Sequence, residues 1–134
     1  MKKPGIIELH EMLKNKEITS EELIKEAINN AHELQEKCNA FVTIMDDVNG
    51  EFNENNYLSG IPYGIKDNYS TKDILSTGSS NTLKDYVPFF DATAVINLKN
   101  NGAVGVAKTA LDEFGMGGTG LCIWVIWYPL GKSG

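Results

Sequence analysis

The sequence predicts an α/β domain in which part of the sheet is parallel. Three short runs rich in apolar and β-branched residues, at 40–45, 61–68 and 103–107, are typical of buried strands. Two segments with apolar residues at helical spacing, 20–37 and 91–100, alternate with these runs. Because helices and strands alternate along the chain, a layered α/β architecture is favoured.

The N-terminal region carries two helical patterns. Within 6–14 the apolar residues fall on one stripe, and Thr19 with Glu22 forms a capping-box pattern that predicts a second helix over 20–37. The residues predicted to face inward on this helix recur at steps of three and four: Leu23, Ala27, Ala31, Leu34 and Cys38. Cys38 is therefore predicted to lie in the core.

The middle of the chain is predicted to be mostly irregular. Residues 46–60 are rich in Asn and turn-forming residues, and 70–82 are rich in Ser and Thr, so both read as loops. Asp91 is the predicted N-cap of a helix that runs to about residue 100, and Gly102 is predicted to close it.

Composition and cysteine spacing exclude several classes of protein. With 134 residues, 42% of them hydrophobic, the chain suits one globular domain, and its net charge of −6 disfavours a nucleic-acid-binding surface. Cys38 and Cys122 are far apart and form no CxxC, so neither a metal site nor a disulfide framework is expected. His10 and His32 are interpreted as surface or half-buried structural residues. The longest apolar run, 121–130, is too short to span a membrane and no secretory signal precedes it, so a cytoplasmic protein is expected.

Lys66 is the residue that most invites a chemical interpretation. It ends an apolar strand, where partial desolvation would lower the pKa of its amine and make it available as a base. Asp67 is a poor partner for it, because adjacent side chains on a strand point to opposite faces. From the residues alone, a solvated surface lysine remains the alternative.

The segment around Lys66 resembles a known enzyme family. Residues 58–68, LSGIPYGIKDN, contain a Gly-Ile-Pro-x-x-x-Lys-Asp core that is similar to the signature of the amidase signature family. The match continues in order at Asp91-Ala92-Thr93, Leu98, Gly102-Ala103-Val104, Lys108-Thr109 and Leu111–Gly117. It covers roughly residues 6–120 and implies the N-terminal part of the amidase signature fold, a mixed sheet covered by helices.

The resemblance implies a serine-dependent amide hydrolase with a Ser–cis-Ser–Lys triad. Lys66 falls on the triad lysine, which as a neutral amine takes a proton from a bridging serine and so activates the nucleophilic serine. Backbone N–H groups of a glycine-rich loop stabilise the oxyanion. Met116 and Gly117 fall on a stretch that lines the substrate pocket.

Within the family, the run 111–117 is most similar to the A subunits of glutamyl-tRNA(Gln) amidotransferases. For that branch the resemblance implies hydrolysis of glutamine, with ammonia passed to a partner in a heterotrimer with subunits B and C. The partner subunit uses ATP and Mg to convert Glu-tRNA(Gln) into Gln-tRNA(Gln). No cofactor is expected in this chain itself.

The sequence departs from the family after Gly120. Both triad serines of the family lie in a Gly-Gly-Ser-Ser-Gly-Gly-Ser-like stretch, which is absent here, and 121–134 form an apolar tail foreign to the family. We therefore expect an amidase portion over 1–120, truncated before its serines and inactive alone. The alternatives are another amide hydrolase of the same family, or a non-catalytic fragment that binds partner subunits.

Two other polar motifs carry no catalytic prediction. Ser79-Ser80 follows a glycine but is interpreted as turn polarity and hydrogen bonding in an irregular segment. Gly131-Lys132-Ser133 lacks the glycine that a phosphate-binding loop needs five positions earlier, because position 126 is isoleucine.

Overall fold

The computed structural model describes residues 4–117, and the predictions for Cys122 and the tail 121–134 lie outside this range. The elements in chain order are α1 (Ile6–Lys14), α2 (Ser20–Cys38), β1 (Phe41–Ile44), β2 (Pro62–Lys66), α3 (Thr93–Asn100) and β3 (Val104–Thr109). Two short 3-10 turns, Asn81–Leu83 and Glu113–Gly115, lie in the loops. The predicted helices and strands are therefore present, with boundaries shifted by at most two residues.

The three strands form one mixed sheet in the order β1-β3-β2. β3 is central; it pairs antiparallel with β1 and parallel with β2. In the parallel pair, Ile65 is opposite Lys108 and Lys66 is opposite Thr109. Because the two parallel strands end at the same edge of the sheet, their C-terminal residues are brought together there.

Helix α2 packs on the sheet through the stripe that the sequence predicts. Its capping box is present, since the Thr19 hydroxyl accepts a bond from the Glu22 N–H at 3.2 Å and the Glu22 carboxylate accepts from the Thr19 N–H at 2.9 Å. A core cluster joins the helix to the central strand and consists of Ile24, Ile28, Val104 and Val106. Burying these four side chains anchors α2 to β3.

Two further clusters complete the core. Met45, Ile65 and Val95 connect the sheet to α3, and Leu13, Leu23 and Ile61 connect α1 to α2 and to the start of β2. The strand β2 is thus fixed from both ends, which positions its last residue, Lys66. Among the helices of residues 4–117, none combines the length and apolar character needed to cross a lipid bilayer.

The predicted N-cap of α3 is wrong. The helix begins after Ala92, which provides no side-chain cap. The Asp91 carboxylate instead accepts hydrogen bonds from the Lys72 N–H at 2.8 Å and from Lys99 Nζ at 2.7 Å. Burial alone would raise the pKa of Asp91, but the bonds from Lys99 and Lys72 outweigh it, so that pKa is lowered. The closing glycine, Gly102, is correctly predicted and has φ of +77°.

The predicted burial of Cys38 is also wrong. Cys38 is exposed, and Leu34 on the same stripe is 46% exposed. The reason is length, because the 19 residues of α2 span about 28 Å. Strands of four to six residues span only about 13–20 Å, so they are too short to cover the full length of the helix.

One of the two histidines is more buried than predicted. His10 is only 3% exposed, and its ring lies against the rings of Phe52 and Tyr57. His32 is exposed, and its Nε2 lies 2.6 Å from Asp46 Oδ1.

Candidate functional site

Lys66 is the last residue of β2, and its side chain is exposed. Side chains alternate along this strand, so Ile65 and Asp67 are buried while Gly64 and Lys66 face solvent. The expected partial burial of Lys66 is therefore wrong within the described residues. Among the described strands β2 pairs only with β3, and Gly64, the neighbour of Lys66 on the same face, has no side chain to cover the amine.

The structure nevertheless brings Lys66 to the motif that follows β3. A Cβ placed on Gly115 would lie 3.9 Å from Lys66 Nζ and 3.7 Å from Asn68 Nδ2. Met116, the residue after Gly115, is 77% exposed, and Gly117 is exposed as well. The predicted base and the turn before the predicted pocket residues thus share one surface, while the roles of Lys66, Met116 and Gly117 stay predictions.

The turn itself has an unusual backbone. Phe114 and Gly115 are both left-handed, with φ of +53° and +72°. A Cβ on Gly117 would come within 2.6 Å of the Asp112 carboxylate, so only glycine fits there without a shift. The N–H groups of Phe114, Gly115 and Met116 already donate to carbonyls of Gly78, Asp112 and Glu113. These three N–H groups are therefore occupied and do not supply the predicted oxyanion donors.

Residues 77–80 form a buried loop that is hydrogen-bonded to the segment 111–114. The Ser79 hydroxyl accepts a hydrogen bond from the Leu111 N–H at 3.1 Å, and the Ser80 hydroxyl donates to Glu113 Oε1 at 2.6 Å. Both serines are buried. The interpretation of Ser79-Ser80 as hydrogen-bonding turn residues is confirmed.

Lys108 is the buried lysine of this region, and its side chain is fully inaccessible to solvent. Its Nζ donates to the Tyr69 carbonyl at 2.7 Å, to Thr71 Oγ1 at 2.9 Å and to Ser76 Oγ at 2.8 Å. Burial lowers the pKa of Lys108, and the charge of nearby Asp67 acts against that shift without cancelling it.

Asp67 is the charge partner of Lys108 in the interior. Its Oδ1 lies 3.5 Å from Lys108 Nζ, and its Oδ2 accepts bonds from Thr77 N–H at 2.9 Å and Thr77 Oγ1 at 2.6 Å. An ammonium has three protons, and the shorter contacts of Lys108 use all three. The Asp67–Lys108 contact is therefore an ion pair without a hydrogen bond, and Asp67 points away from Lys66 as the alternation predicts.

Sequence reasoning missed the importance of Lys108. It follows the apolar run 103–107 just as Lys66 ends the run 61–66, so the same signal was present at both positions. The difference comes from the face of the sheet: Lys108 is opposite Ile65, on the face covered by residues 69–76, whereas Lys66 is opposite Thr109 on the other face. Which face is covered follows from long-range packing, which a local pattern does not report.

Comparisons with known proteins agree with this arrangement. The family model described as Amidase matches residues 22–121. The chain is 44% identical over 124 residues to the A subunit of glutamyl-tRNA(Gln) amidotransferase from Streptococcus pneumoniae strain 70585, covering 86% of this chain and 25% of that one. It is 42% identical, with the same coverage, to the corresponding A subunit from Streptococcus thermophilus. The chain thus spans about a quarter of the length of these relatives.

Comparison with solved structures finds the same fold in amidases. The A subunit of glutamyl-tRNA(Gln) amidotransferase from Thermotoga maritima matches with a TM-score of 0.64 and 32% identity, over 87% of this chain and 26% of that one. The peptide amidase of Stenotrophomonas maltophilia matches with a TM-score of 0.73 and 21% identity, over 84% of this chain and 26% of that one, and supports the fold alone. On the family-model match over 22–121 and on this fold, the chain belongs to the amidase signature family.

Proposed function

We propose that this chain corresponds to the N-terminal quarter of a glutaminase subunit of a tRNA-dependent amidotransferase, and that Lys66 is its general base. The observation that carries the proposal is the position of Lys66. Its amine is open to solvent at the end of β2, beside the Gly115 turn that leads into Met116. The 44% identity to an amidotransferase A subunit supports the choice of glutamine over other amides.

The proposed mechanism needs a neutral amine at Lys66, so we propose that the serine-bearing part of the enzyme covers this exposed side chain and removes it from water. The amine takes a proton from a bridging serine, which in turn takes the proton of the nucleophilic serine as that oxygen attacks the side-chain amide carbon of glutamine. As the tetrahedral intermediate collapses, the Lys66 ammonium returns its proton through the bridging serine to the leaving nitrogen, so that ammonia departs and an acyl-enzyme remains, which water hydrolyses to glutamate. Met116 and Gly117 would line the glutamine pocket.

The sequence has no Gly-Gly-Ser-Ser-Gly-Gly-Ser-like stretch, so we propose that this chain alone does not turn over glutamine. Loss of a nucleophilic serine removes most of the rate enhancement of a serine hydrolase. In a complete assembly the ammonia would pass to subunits B and C in the cytoplasm. ATP and Mg at a partner subunit would then support amidation of Glu-tRNA(Gln).

A complementation assay tests the proposal. The full 134-residue chain is coexpressed with the part of the Streptococcus pneumoniae A subunit that it does not match, and ammonia release from glutamine is measured. We expect activity from the combination and none from the chain alone. Lys66→Met should abolish the activity, because the base is lost.

Lys84→Met is the matched control, since Lys84 is also an exposed lysine and its nearest carboxylate is 3.9 Å away. It should leave ammonia release unchanged. Full activity of the Lys66→Met combination would refute Lys66 as the base. Release from other small amides but not from glutamine would favour a different amide hydrolase of the family. Stable association of the two parts without any turnover would favour the non-catalytic binding module.

A further inference from the structure

The backbone on both sides of Lys66 is held by groups that converge on Asp67. The Asp67 N–H donates to the Thr109 carbonyl at 3.1 Å, and the Asp67 carbonyl accepts from the Gly78 N–H at 3.1 Å. The next turn is closed by the Tyr69 N–H, which donates to the Lys66 carbonyl at 3.0 Å. The main chain from which the Lys66 side chain projects is therefore fixed from three directions.

The Asp67 carboxylate extends this connection to the loop 77–80. Its Oδ2 accepts two bonds from Thr77, and the Thr77 hydroxyl in turn accepts from the Ser79 N–H at 3.0 Å. Gly78 and Ser79 bind the segment after β3 through the Phe114 and Leu111 N–H groups. One buried carboxylate thus connects the strand that bears Lys66 with the turn that lies beside the Lys66 amine.

Lys108 makes a second connection and places a cation beside the carboxylate. Its Nζ binds the Tyr69 carbonyl, and Tyr69 is the residue that closes the turn on Lys66. A buried carboxylate without a nearby cation is costly, so removing Lys108 would destabilise the position that Asp67 occupies. Both members of the pair therefore act on the same short segment, 66–69.

We propose that Asp67 and Lys108 are a buried positioning pair that holds the Lys66 amine against the Gly115 turn. Neither residue touches solvent, so neither reacts with a substrate; they act through Lys66. The proposal rests on the proposed function only in treating Lys66 as the reacting amine. A shift of about 1 Å in such a group is enough to lower a reaction rate substantially.

Nuclear magnetic resonance of the full 134-residue chain tests the pair without any assay of turnover. The readout is the nuclear Overhauser effect between the Lys66 Hε protons and the Gly115 Hα protons, measured well below the melting temperature. In Asp67→Asn and in Lys108→Met we expect it to fall by about threefold, because a displacement of about 1 Å acts through the inverse sixth power of distance. A role confined to stability would lower the melting temperature and leave this effect unchanged.

Asp91→Asn is the matched control, because the Asp91 carboxylate, like that of Asp67, accepts from a backbone N–H and pairs with a lysine, but it does so beside α3. It should keep the wild-type Overhauser effect. Folded Asp67→Asn with a wild-type effect would overturn the proposal. If Asp67→Asn does not fold, Thr77→Val decides, since it removes the hydroxyl link and keeps both charges: a weakened effect supports the pair, and a wild-type effect refutes it.

The two proposals fail separately. Loss of the Overhauser effect in the pair variants, together with ammonia release that is insensitive to Lys66→Met, would refute the proposed function and leave the positioning pair standing. An unchanged Overhauser effect in folded Asp67→Asn and Lys108→Met, together with Lys66-dependent ammonia release, would refute the positioning pair and leave the proposed function standing.

Discussion

Lys66 and Lys108 end or nearly end two neighbouring parallel strands, yet they lie in opposite environments. Lys66 is exposed at the end of β2. Lys108 is fully buried on β3, where its Nζ makes three hydrogen bonds and lies 3.5 Å from Asp67 Oδ1. An exposed amine can meet a substrate or another part of an enzyme. A buried amine whose protons are all in hydrogen bonds stabilises the surrounding structure. The two lysines therefore differ in what they can contribute.

The largest difference should appear in stability. Lys108→Met leaves Asp67 buried without its cation and should lower the free energy of unfolding by about 3–5 kcal/mol. Lys66→Met removes an exposed side chain, so we expect a change of less than about 0.5 kcal/mol. Urea denaturation of the full chain measures both. Equal losses of unfolding free energy in Lys108→Met and Lys66→Met would contradict the different environments of the two lysines.

A double-mutant cycle sharpens the same contrast. Asp67→Asn and Lys108→Met combined should cost less than the sum of the single variants, with a coupling of about 1–3 kcal/mol, because the second change removes a charge already left unpaired. The same cycle between Asp67→Asn and Lys66→Met should give additive losses, since the two side chains point to opposite faces. Strong coupling between Asp67 and Lys66 would contradict this geometry.

The turn beside Lys66 should respond to backbone strain with no steric clash. Gly115→Ala adds a Cβ that makes only ordinary van der Waals contacts but sits on a left-handed backbone, so it should destabilise the chain by about 1 kcal/mol. Gly115→Asn should cost less, because asparagine tolerates this conformation better. Thermal denaturation of both variants is the measurement. An alanine variant as stable as the wild type would show that the turn is not left-handed at this residue.

The smallest expected effect is a pH dependence that comes from Lys108. Since burial lowers the pKa of Lys108 in the folded state, the unfolded chain binds more protons between that pKa and the ordinary value of 10.5. The stabilising contribution is therefore present above 10.5 and is lost as the pH falls through the folded pKa. Wild type should gain stability relative to Lys108→Met as the pH rises towards 10.5. A difference that is flat or falls over this range would contradict the shift.

Local patterns predicted most of the framework. The Thr19–Glu22 capping box, the strand runs and the closing Gly102 are signals contained in a few neighbouring residues, and each is confirmed. Asp91 was wrong as a cap because its carboxylate binds Lys99 and the Lys72 N–H, and Lys72 is nineteen residues away.

The site was harder to predict, for the same physical reason. The family resemblance identified Lys66, but exposure depends on which face of the sheet the rest of the chain covers, and the sequence alone did not determine that. The buried network of Lys108 joins residues 32–39 positions apart. Such contacts leave no periodic trace in the chain, so the positioning pair became visible only in the structure.

Competitive acylation of lysines tests the division of roles between these two amines most directly. The folded 134-residue chain is treated with a trace of labelled acetic anhydride, denatured and fully acetylated with unlabelled reagent, and the label at each lysine is read by mass spectrometry. We predict that Lys66 takes up label with the exposed lysines and that Lys108 stays protected until the chain unfolds. Labelling of Lys108 at the rate of Lys66 in the folded chain would contradict the account.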